Sequence, residues 1–329
     1  MPKHIPWSVA VPPEVYTEHC GVPMGEYHAD PAVQMHVQLR GPEILHEKYG
    51  LPLRRSVAPD FTAYIDASVF GLEVDFSNDN VPSPRGHPIG SIEEAAALAL
   101  PDDISRCGLY PAALEFYRYM QAHAPDDVSV SFGGGSQGPF TKAILLRGHD
   151  LLLDLYDRPD LAHRFMATMT QASIRQRELA RELTGQSGPM QSIGYCDDFG
   201  GLLPPGLYCE FNLPYLLRIA DHFGAQRKSI HTELLRKPHL RVLQDHGWVF
   251  IDVGTDPHLT VADCKETLHI PFLVQFKTSG DMLLSNPRQI REKYREMVEE
   301  GAERMLVELC RGVPEENIRA FIEVAKEYQ

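Results

Sequence analysis

Potential metal ligands follow three predicted apolar strands of this 329-residue chain. Cys310 directly follows the apolar run 305–309. Glu233 stands two residues after another short run, which ends at His231, and Cys264 comes after a third run. Thiolate, carboxylate and imidazole groups are common metal ligands in proteins. Because these side chains share the same position relative to a strand, the sequence predicts a metal site where the strands end.

Two adjacent acids, Asp197 and Asp198, follow the predicted strand 190–195. Repulsion between neighbouring carboxylates can raise the pKa of one of them, which suits acid–base catalysis. The same pair also suits a loop that is stabilised by side-chain hydrogen bonds to the backbone. Tyr195 is either a wall for an aromatic ligand or an ordinary core residue. With His231, these three residues form the set of candidate catalytic residues.

From about residue 100 onward, short apolar runs alternate with segments of helical periodicity. This alternation predicts parallel βα units and favours a (β/α)8 TIM-type barrel, whose chemistry lies at the carboxyl ends of the strands. The predicted strands are 128–132, 190–195, 228–231, 249–253, 272–276 and 305–309, with a weaker one at 63–69. The predicted helices are 104–123, 142–156, 159–183, 205–223, 238–246 and 286–300.

Residues 1–100 are rich in proline, histidine and polar turns, and they include a predicted β-ribbon near 71–77. We interpret them as an irregular, elaborated N-terminal cap or entrance on a single domain that spans 1–329, because no linker interrupts the chain. The alternative architecture is an open doubly wound sheet, which normally carries a glycine-rich phosphate loop. The glycine run 133–135 lacks that spacing and is more typical of a tight strand-to-helix turn.

Charge and composition limit the partners. The hydrophobic fraction of 43% is enough for a large core, and the net charge of −14 disfavours nucleic acid and anionic membranes. The sequence shows no secretory signal and no apolar run long enough to span a bilayer, which predicts a cytoplasmic protein. In that compartment six cysteines form no disulfide framework. Cys20, Cys107, Cys196 and Cys209 are interpreted as small buried hydrophobic residues.

An ordered series of motifs covers roughly residues 40–329. It consists of GPFT at 138–141, DRPDL at 157–161, Asp197-Asp198, LPP at 203–205, FNLPYL at 211–216, and finally Cys310 followed by ENIRA at 316–320. This series resembles the uroporphyrinogen decarboxylase superfamily. The resemblance implies a barrel and one of two activities: decarboxylation of tetrapyrrole acids, or zinc-dependent methyl transfer that works with corrinoid proteins.

The residues that distinguish these branches favour methyl transfer. The decarboxylase branch carries an arginine-rich N-terminal motif, whereas the first 39 residues here contain Lys3 and no arginine. The thiol-methylating branch carries H-x-C and a late cysteine as zinc ligands. This chain keeps His231 and Cys310 but has Glu233 at the middle position. The order Glu233, Cys264, Cys310 is similar to that of corrinoid-dependent O-demethylases, and it implies these three residues as the zinc ligands.

The resemblance therefore implies that a methyl group moves from a small methoxylated aromatic compound to the Co(I) corrinoid of a partner protein. Zn2+ would stabilise the phenolate as it forms. His231 would be a substrate contact, a hydrogen-bond partner of Glu233, or a metal ligand itself. The chain contains no D-x-H-x-x-G motif, so the corrinoid is expected on a separate protein. The alternatives are methyl transfer from a methylcorrinoid to a thiol, metal-free decarboxylation of a uroporphyrinogen-type substrate, and a non-catalytic corrinoid-binding or adaptor role.

Overall fold

Parallel strands surrounded by helices form the fold in a computed structural model that describes residues 4–77, 80–254 and 258–329. The strands in these ranges are β1 (Trp7–Ala10), β2 (Ser56–Val57), β3 (Val74–Asp75), β4 (Ser83–Pro84), β5 (Ser129–Val130), β6 (Ser192–Asp197), β7 (Arg227–Thr232), β8 (Trp248–Asp252), β9 (Phe272–Phe276) and β10 (Met305–Glu308). The helices are α1 (Pro13–Cys20), α2 (Met24–Ala29), α3 (Pro31–Tyr49), α4 (Ile65–Ser68), α5 (Ile92–Ala97), α6 (Tyr110–His123), α7 (Pro139–Arg147), α8 (Asp150–Asp157), α9 (Pro159–Leu183), α10 (Pro205–Phe211), α11 (Leu213–His222), α12 (Lys237–Leu243), α13 (Val261–Thr267), α14 (Pro287–Glu299) and α15 (Glu315–Lys326).

Six of these strands form one parallel sheet in the order β1-β10-β9-β8-β7-β6. Strands β2 and β5 form a separate parallel pair, and an isolated bridge joins Gln137, after β5, to Cys196 in β6. The α/β class and the parallel sheet of the TIM-type prediction are confirmed. The described residues show half of a barrel in one sheet, and complete (β/α)8 closure is not shown.

The apolar runs of the second half of the chain were sufficient to predict its strands. The predicted strands at 190–195, 228–231, 249–253, 272–276 and 305–309 correspond to β6 through β10 within one or two residues at most ends. The sequence prediction missed β1, whose register places Trp7 beside Met305 and Ala10 beside Glu308. A four-residue strand flanked by prolines is too short for its periodicity to be recognised.

The prediction of an irregular N-terminal region is wrong for residues 13–49, because helices α1, α2 and α3 occupy them. Asp30 caps α3 by accepting a hydrogen bond from the Ala32 amide at 2.8 Å. The interior Gly41 and Pro42 obscured this helix in the sequence, since both residue types are unfavourable inside helices. In the structure Gly41 packs against the Tyr16 ring, where a side chain would clash. The β-ribbon near 71–77 is confirmed as the antiparallel pair β3 and β4.

The weak strand predicted at 63–69 is also wrong, because residues 65–68 form the short helix α4. The Thr62 hydroxyl accepts a hydrogen bond from the Tyr64 amide, and Ser68 Oγ donates one to the Ile65 carbonyl. Such local bonds compete with strand pairing.

Two predicted long helices are each divided: 142–156 breaks at Gly148, which has φ of 74°, and 205–223 breaks at Asn212. No helix in the described ranges is both long and apolar enough to cross a membrane.

Candidate active site

The side chain of His231 lies among carboxylates at the carboxyl end of β7. Its Nδ1 is 3.0 Å from Oδ2 of Asp252 on the neighbouring strand β8. Its Nε2 is 3.5 Å from Oδ1 of Asp198 and 3.8 Å from Oε1 of Glu233. Strand register produces this grouping, because Cys196, His231 and Asp252 lie side by side on β6, β7 and β8. The carboxyl ends of adjacent parallel strands thus supply one imidazole and three carboxylates, and we call His231, Asp198, Glu233 and Asp252 the His231 group.

Asp252 is held in place by its own neighbours. The side-chain amide of Gln275 on β9 donates to its two oxygens at 3.1 and 3.0 Å, and the Gly254 amide donates to Oδ1 at 2.9 Å. These donors leave Oδ2 oriented toward His231 Nδ1. A histidine whose Nδ1 is fixed by a carboxylate presents Nε2 in a defined direction. Asp198 and Glu233 are 3.5 and 3.8 Å from Nε2, too far for a strong hydrogen bond, so that nitrogen can still contact a substrate.

The surrounding charges stabilise the protonated imidazole. Burial alone lowers the pKa of His231, but the hydrogen bond to Asp252 and the three neighbouring carboxylates outweigh burial and raise the pKa to about 9. Burial raises the pKa of Asp198, although the charge of His231 opposes this effect. Glu308, at the end of β10, also has a raised pKa, because of burial and then of repulsion by Glu14. At neutral pH the site is therefore acidic around one imidazolium.

The two adjacent aspartates point in opposite directions. Asp198 reaches His231, whereas Asp197 is fully buried between the sheet and the helices. The Asp197 carboxylate accepts hydrogen bonds from Asn212 Nδ2 at 2.5 Å and Thr141 Oγ1 at 3.1 Å. Burial raises the pKa of Asp197 to about 6, against the lowering effect of the Asn212 bond. Asp197 thus fixes the loop after β6, and Asp198 is the member of the pair that lies in the site.

Tyr195 faces the helices with Asp197. Its hydroxyl donates to the Leu216 carbonyl at 2.8 Å, its ring packs edge-on against Trp248, and the Arg177 guanidinium lies 5.2 Å above the ring. The tyrosine is 3% exposed. The structure therefore places Tyr195 in the core and apart from the His231 group, because alternate residues of a strand point to opposite faces.

The raised pKa of Asp197 predicts a specific pH dependence of stability. The unfolded carboxyl ionises near its ordinary value of 3.8, whereas the folded one ionises near 6. Between these values the folded state binds the extra proton, so stability falls as pH rises from about 4 to about 6. In urea unfolding, we expect wild type to lose about 2–3 kcal/mol more than Asp197→Asn between pH 4 and pH 7. The exposed Asp245→Asn variant is the control, and equal pH dependence in all three proteins would contradict the prediction.

The structure does not bring Glu233, Cys264 and Cys310 into one group. Cys264 is 1% exposed on helix α13. Cys310 lies near the acids of α1, since burial and then the charges of Glu14 and Glu18 raise the pKa of its thiol. Within residues 4–77, 80–254 and 258–329, no group of three or more His, Cys, Asp or Glu side chains is arranged to hold a metal ion. The described side chains therefore do not form the predicted three-ligand zinc site.

Sequence reasoning missed three polar residues of the site: Asp252, Gln275 and Glu308. Each lies within a predicted apolar strand close to its carboxyl end. A single polar residue at that point was the available signal, since the carboxyl ends of the strands carry the chemistry of such folds. The interpretation of Cys196 and Cys209 as buried residues is wrong, because both are exposed. Cys196 is exposed on the same face of β6 as the His231 group.

Comparison with known proteins identifies the family of this chain. The family model described as uroporphyrinogen decarboxylase (URO-D) matches residues 5–328. The chain belongs to the uroporphyrinogen decarboxylase family. Its URO-D relatives include the uroporphyrinogen decarboxylase of Burkholderia cenocepacia, 25% identical over 240 residues that make up 70% of this chain and 64% of that protein. Another is the enzyme of Bordetella pertussis, 28% identical over 166 residues, or 48% of this chain and 43% of that protein.

A solved structure shares the fold over almost the whole chain. It is a methyltransferase from Methanosarcina mazei, with a TM-score of 0.73, 21% sequence identity, and coverage of 99% of this chain and 94% of that one. At this identity the likeness shows the fold alone. The matched regions span 64% and 43% of the two URO-D relatives, so activity has to be argued from the residues of the site.

Proposed function

We propose that this URO-D family protein transfers the methyl group of a small methoxylated aromatic compound to the Co(I) corrinoid of a partner protein. The observation that carries the proposal is the position of His231, whose side chain is 27% exposed, whose Nδ1 is held by Asp252 and whose Nε2 lies 3.5 Å from Asp198. The chain order of Glu233, Cys264 and Cys310 is similar to that of corrinoid-dependent O-demethylases and supports the choice of reaction, although the described side chains do not form a three-ligand metal site. The fold shared with a protein described as a methyltransferase agrees with it.

The leaving oxygen is where this site can accelerate the reaction. A phenolate is a poor leaving group, so cleavage of an aryl methyl ether needs an acid at the oxygen. The protonated His231 supplies it: Nε2–H donates to the ether oxygen and transfers its proton as the carbon–oxygen bond breaks. The bonding electron pair stays on the oxygen, which leaves as a neutral phenol. The imidazole then takes a new proton from water.

The methyl group would have to be taken up by an acceptor outside this chain. When bound, the corrinoid of the partner protein supplies the nucleophile that takes up the methyl group. Asp252 holds the imidazole during this step through its bond to Nδ1. The carboxylates of Asp198 and Glu233 stabilise the imidazolium before the reaction, so His231 stays protonated at neutral pH.

The same carboxylates oppose the alternative activities. A tetrapyrrole acid carries several negative charges, and the charges of Asp198, Glu233 and Asp252 would repel it. A thiol acceptor must become a thiolate before it attacks, and an acidic site disfavours that ionisation as well. A neutral methoxyarene meets neither penalty. The electrostatics of the described residues thus favour the ether over a polycarboxylate or a thiol.

The test combines the purified protein with cob(I)alamin as acceptor and a panel of methoxybenzenes as donors. We expect phenol by chromatography together with methylcobalamin by absorbance, in equal amounts and only when the protein is present. The same preparation is incubated with uroporphyrinogen, from which we expect no carbon dioxide. Carbon dioxide release without any phenol would overturn the proposal and assign the chain to the decarboxylase branch.

A further inference from the structure

A small cavity lies beside the candidate active site, between the segment before α4 and the loop after β5. Its volume is about 240 Å3. Its apolar lining residues include Phe61, Ile65, Ala113 and Phe132, together with Gly133 and Gly134. Its polar lining residues are Asp60, Thr62, Asp66 and Ser136. Ligand pockets for drug-sized molecules are typically about 300–1,000 Å3, so this cavity is suited to a smaller ligand such as one substituted ring. We call it the aromatic cavity.

The two phenylalanines are held in fixed positions. Phe61 packs edge-on against Phe116, with ring centroids 4.9 Å apart, and Phe132 packs against Tyr117 at 5.4 Å. Both side chains are less than 10% exposed. Aromatic rings prefer such edge-to-face or offset contacts with other aromatic rings. The walls therefore offer a further ring preformed surfaces of the kind it prefers.

Asp66, one of the residues that line the cavity, fixes the neighbouring loop with its buried carboxylate. Asp66, which is 1% exposed, accepts hydrogen bonds from the amides of Gly135 at 2.8 Å and Gln137 at 3.3 Å. Its own carbonyl accepts a bond from Gln176 Nε2 on α9 at 2.8 Å. A Cβ at Gly134 would lie 2.9 Å from the Tyr110 hydroxyl. The glycine run thus serves as a cavity wall in close contact with its neighbours.

Two connections place the aromatic cavity next to His231. Ser136, which lines the cavity, accepts a hydrogen bond from the Cys196 amide at 2.9 Å, and Cys196 lies beside His231 in the sheet. On the other wall, Tyr64 stands between cavity residues 63 and 65, and its pKa is raised by burial and then by the charge of Asp198. Asp198 is 3.5 Å from His231.

We infer that the aromatic cavity holds the ring of the methyl donor, with the methoxy group directed past Cys196 toward His231. This inference rests on the proposed function and makes it more specific: the donor has a single aromatic ring, and Phe61 and Phe132 select it. Ring contact positions the ether, while His231 acts on the oxygen. Binding of the ring and cleavage of the ether therefore depend on different residues.

Calorimetric titration with 2-methoxyphenol tests the inference without turnover. Phe132→Leu removes one ring contact, and we expect it to raise Kd about five- to tenfold. Ala113→Leu fills part of the cavity, and we expect a larger rise. The matched control is Phe223→Leu, a buried phenylalanine outside the cavity lining, which should keep Kd within twofold of wild type. The saturated analogue 2-methoxycyclohexanol should bind wild type at least fivefold more weakly than the aromatic probe.

Circular dichroism and thermal unfolding identify the variants that fold. If Ala113→Leu does not fold, Phe132→Leu still tests the inference. Equal Kd values in folded Phe132→Leu and wild type would overturn the cavity assignment, even if wild type transfers methyl groups. Loss of binding in Phe132→Leu, without methyl transfer by wild type to cob(I)alamin, would support the cavity and reject the proposed reaction. The two failures are thus distinguishable.

Discussion

Replacing His231 with glutamine is expected to lower the rate of methyl transfer by at least about a hundredfold, since a positioned general acid contributes about 10²–10⁴. Glutamine keeps a polar amide near the same place but cannot deliver a proton at neutral pH. The measurement is the initial rate of phenol release from a methoxybenzene with cob(I)alamin in excess. His222→Gln is the control, because His222 is an exposed histidine that also contacts a carboxylate, Glu178 at 2.9 Å.

The pH profile separates an acid from a merely structural histidine. The reactive form of His231 is the imidazolium, whose pKa is about 9. The rate should therefore be constant at neutral pH and should fall about tenfold per pH unit above 9. Asp252→Asn removes the carboxylate at Nδ1, so the decline should begin at lower pH. A decline that begins at the same pH in wild type and Asp252→Asn, or a His231→Gln rate within threefold of wild type, would contradict this role.

Gly201→Ala is expected to destabilise the protein by about 3 kcal/mol, a large value for adding one methyl group. A Cβ at Gly201 would lie inside van der Waals contact of the Glu233 carbonyl oxygen and the Leu234 backbone. Backbone atoms cannot move aside as a flexible side chain can. Leu234 already has a left-handed φ of 61°, so this turn is sensitive to displacement. The shift would also move Glu233, and methyl transfer should fall in the protein that still folds.

Gly206→Ala is the matched control, five residues away. Nothing lies within 4 Å of a Cβ at Gly206, which is an exposed residue near the start of α10. Alanine is favoured over glycine in helices, so this variant should be neutral or slightly more stable. The midpoint of urea unfolding, measured for both variants, decides the question. Similar midpoints for Gly201→Ala and wild type would show that the 233–234 turn adapts to the added methyl group.

The candidate site shows what alternation along a strand adds to sequence motifs. Asp197 and Asp198 are adjacent in sequence and were predicted to act together. In β6 and the residue after it, however, Asp197 turns toward Asn212 and Thr141 while Asp198 turns toward His231. One carboxylate stabilises the loop and the other belongs to the site. A motif of two acids predicted the place, but only the strand geometry assigned their separate positions.

The cysteines illustrate a different kind of error. Cys264 follows a strand in sequence, but eleven residues separate it from the end of β8 and place it on α13. Cys264 is 1% exposed and belongs to the main hydrophobic core. Cys196, by contrast, was interpreted as a core residue and lies on the exposed side of β6. Spacing along the chain does not give the direction of a side chain once a loop intervenes.

The sequence by itself determined the α/β class, five parallel strands in the second half of the chain, the family, and the carboxyl-end position of His231, Asp198 and Glu233. Local hydrophobic periodicity and ordered motifs carry that information, because they depend on neighbours in the chain. The tertiary structure alone decided that β1 pairs with β10, that Asp252 and Gln275 orient the imidazole, and that Glu233, Cys264 and Cys310 form no three-ligand metal group among the described residues. These features depend on register and packing between segments distant in sequence, which no local pattern specifies.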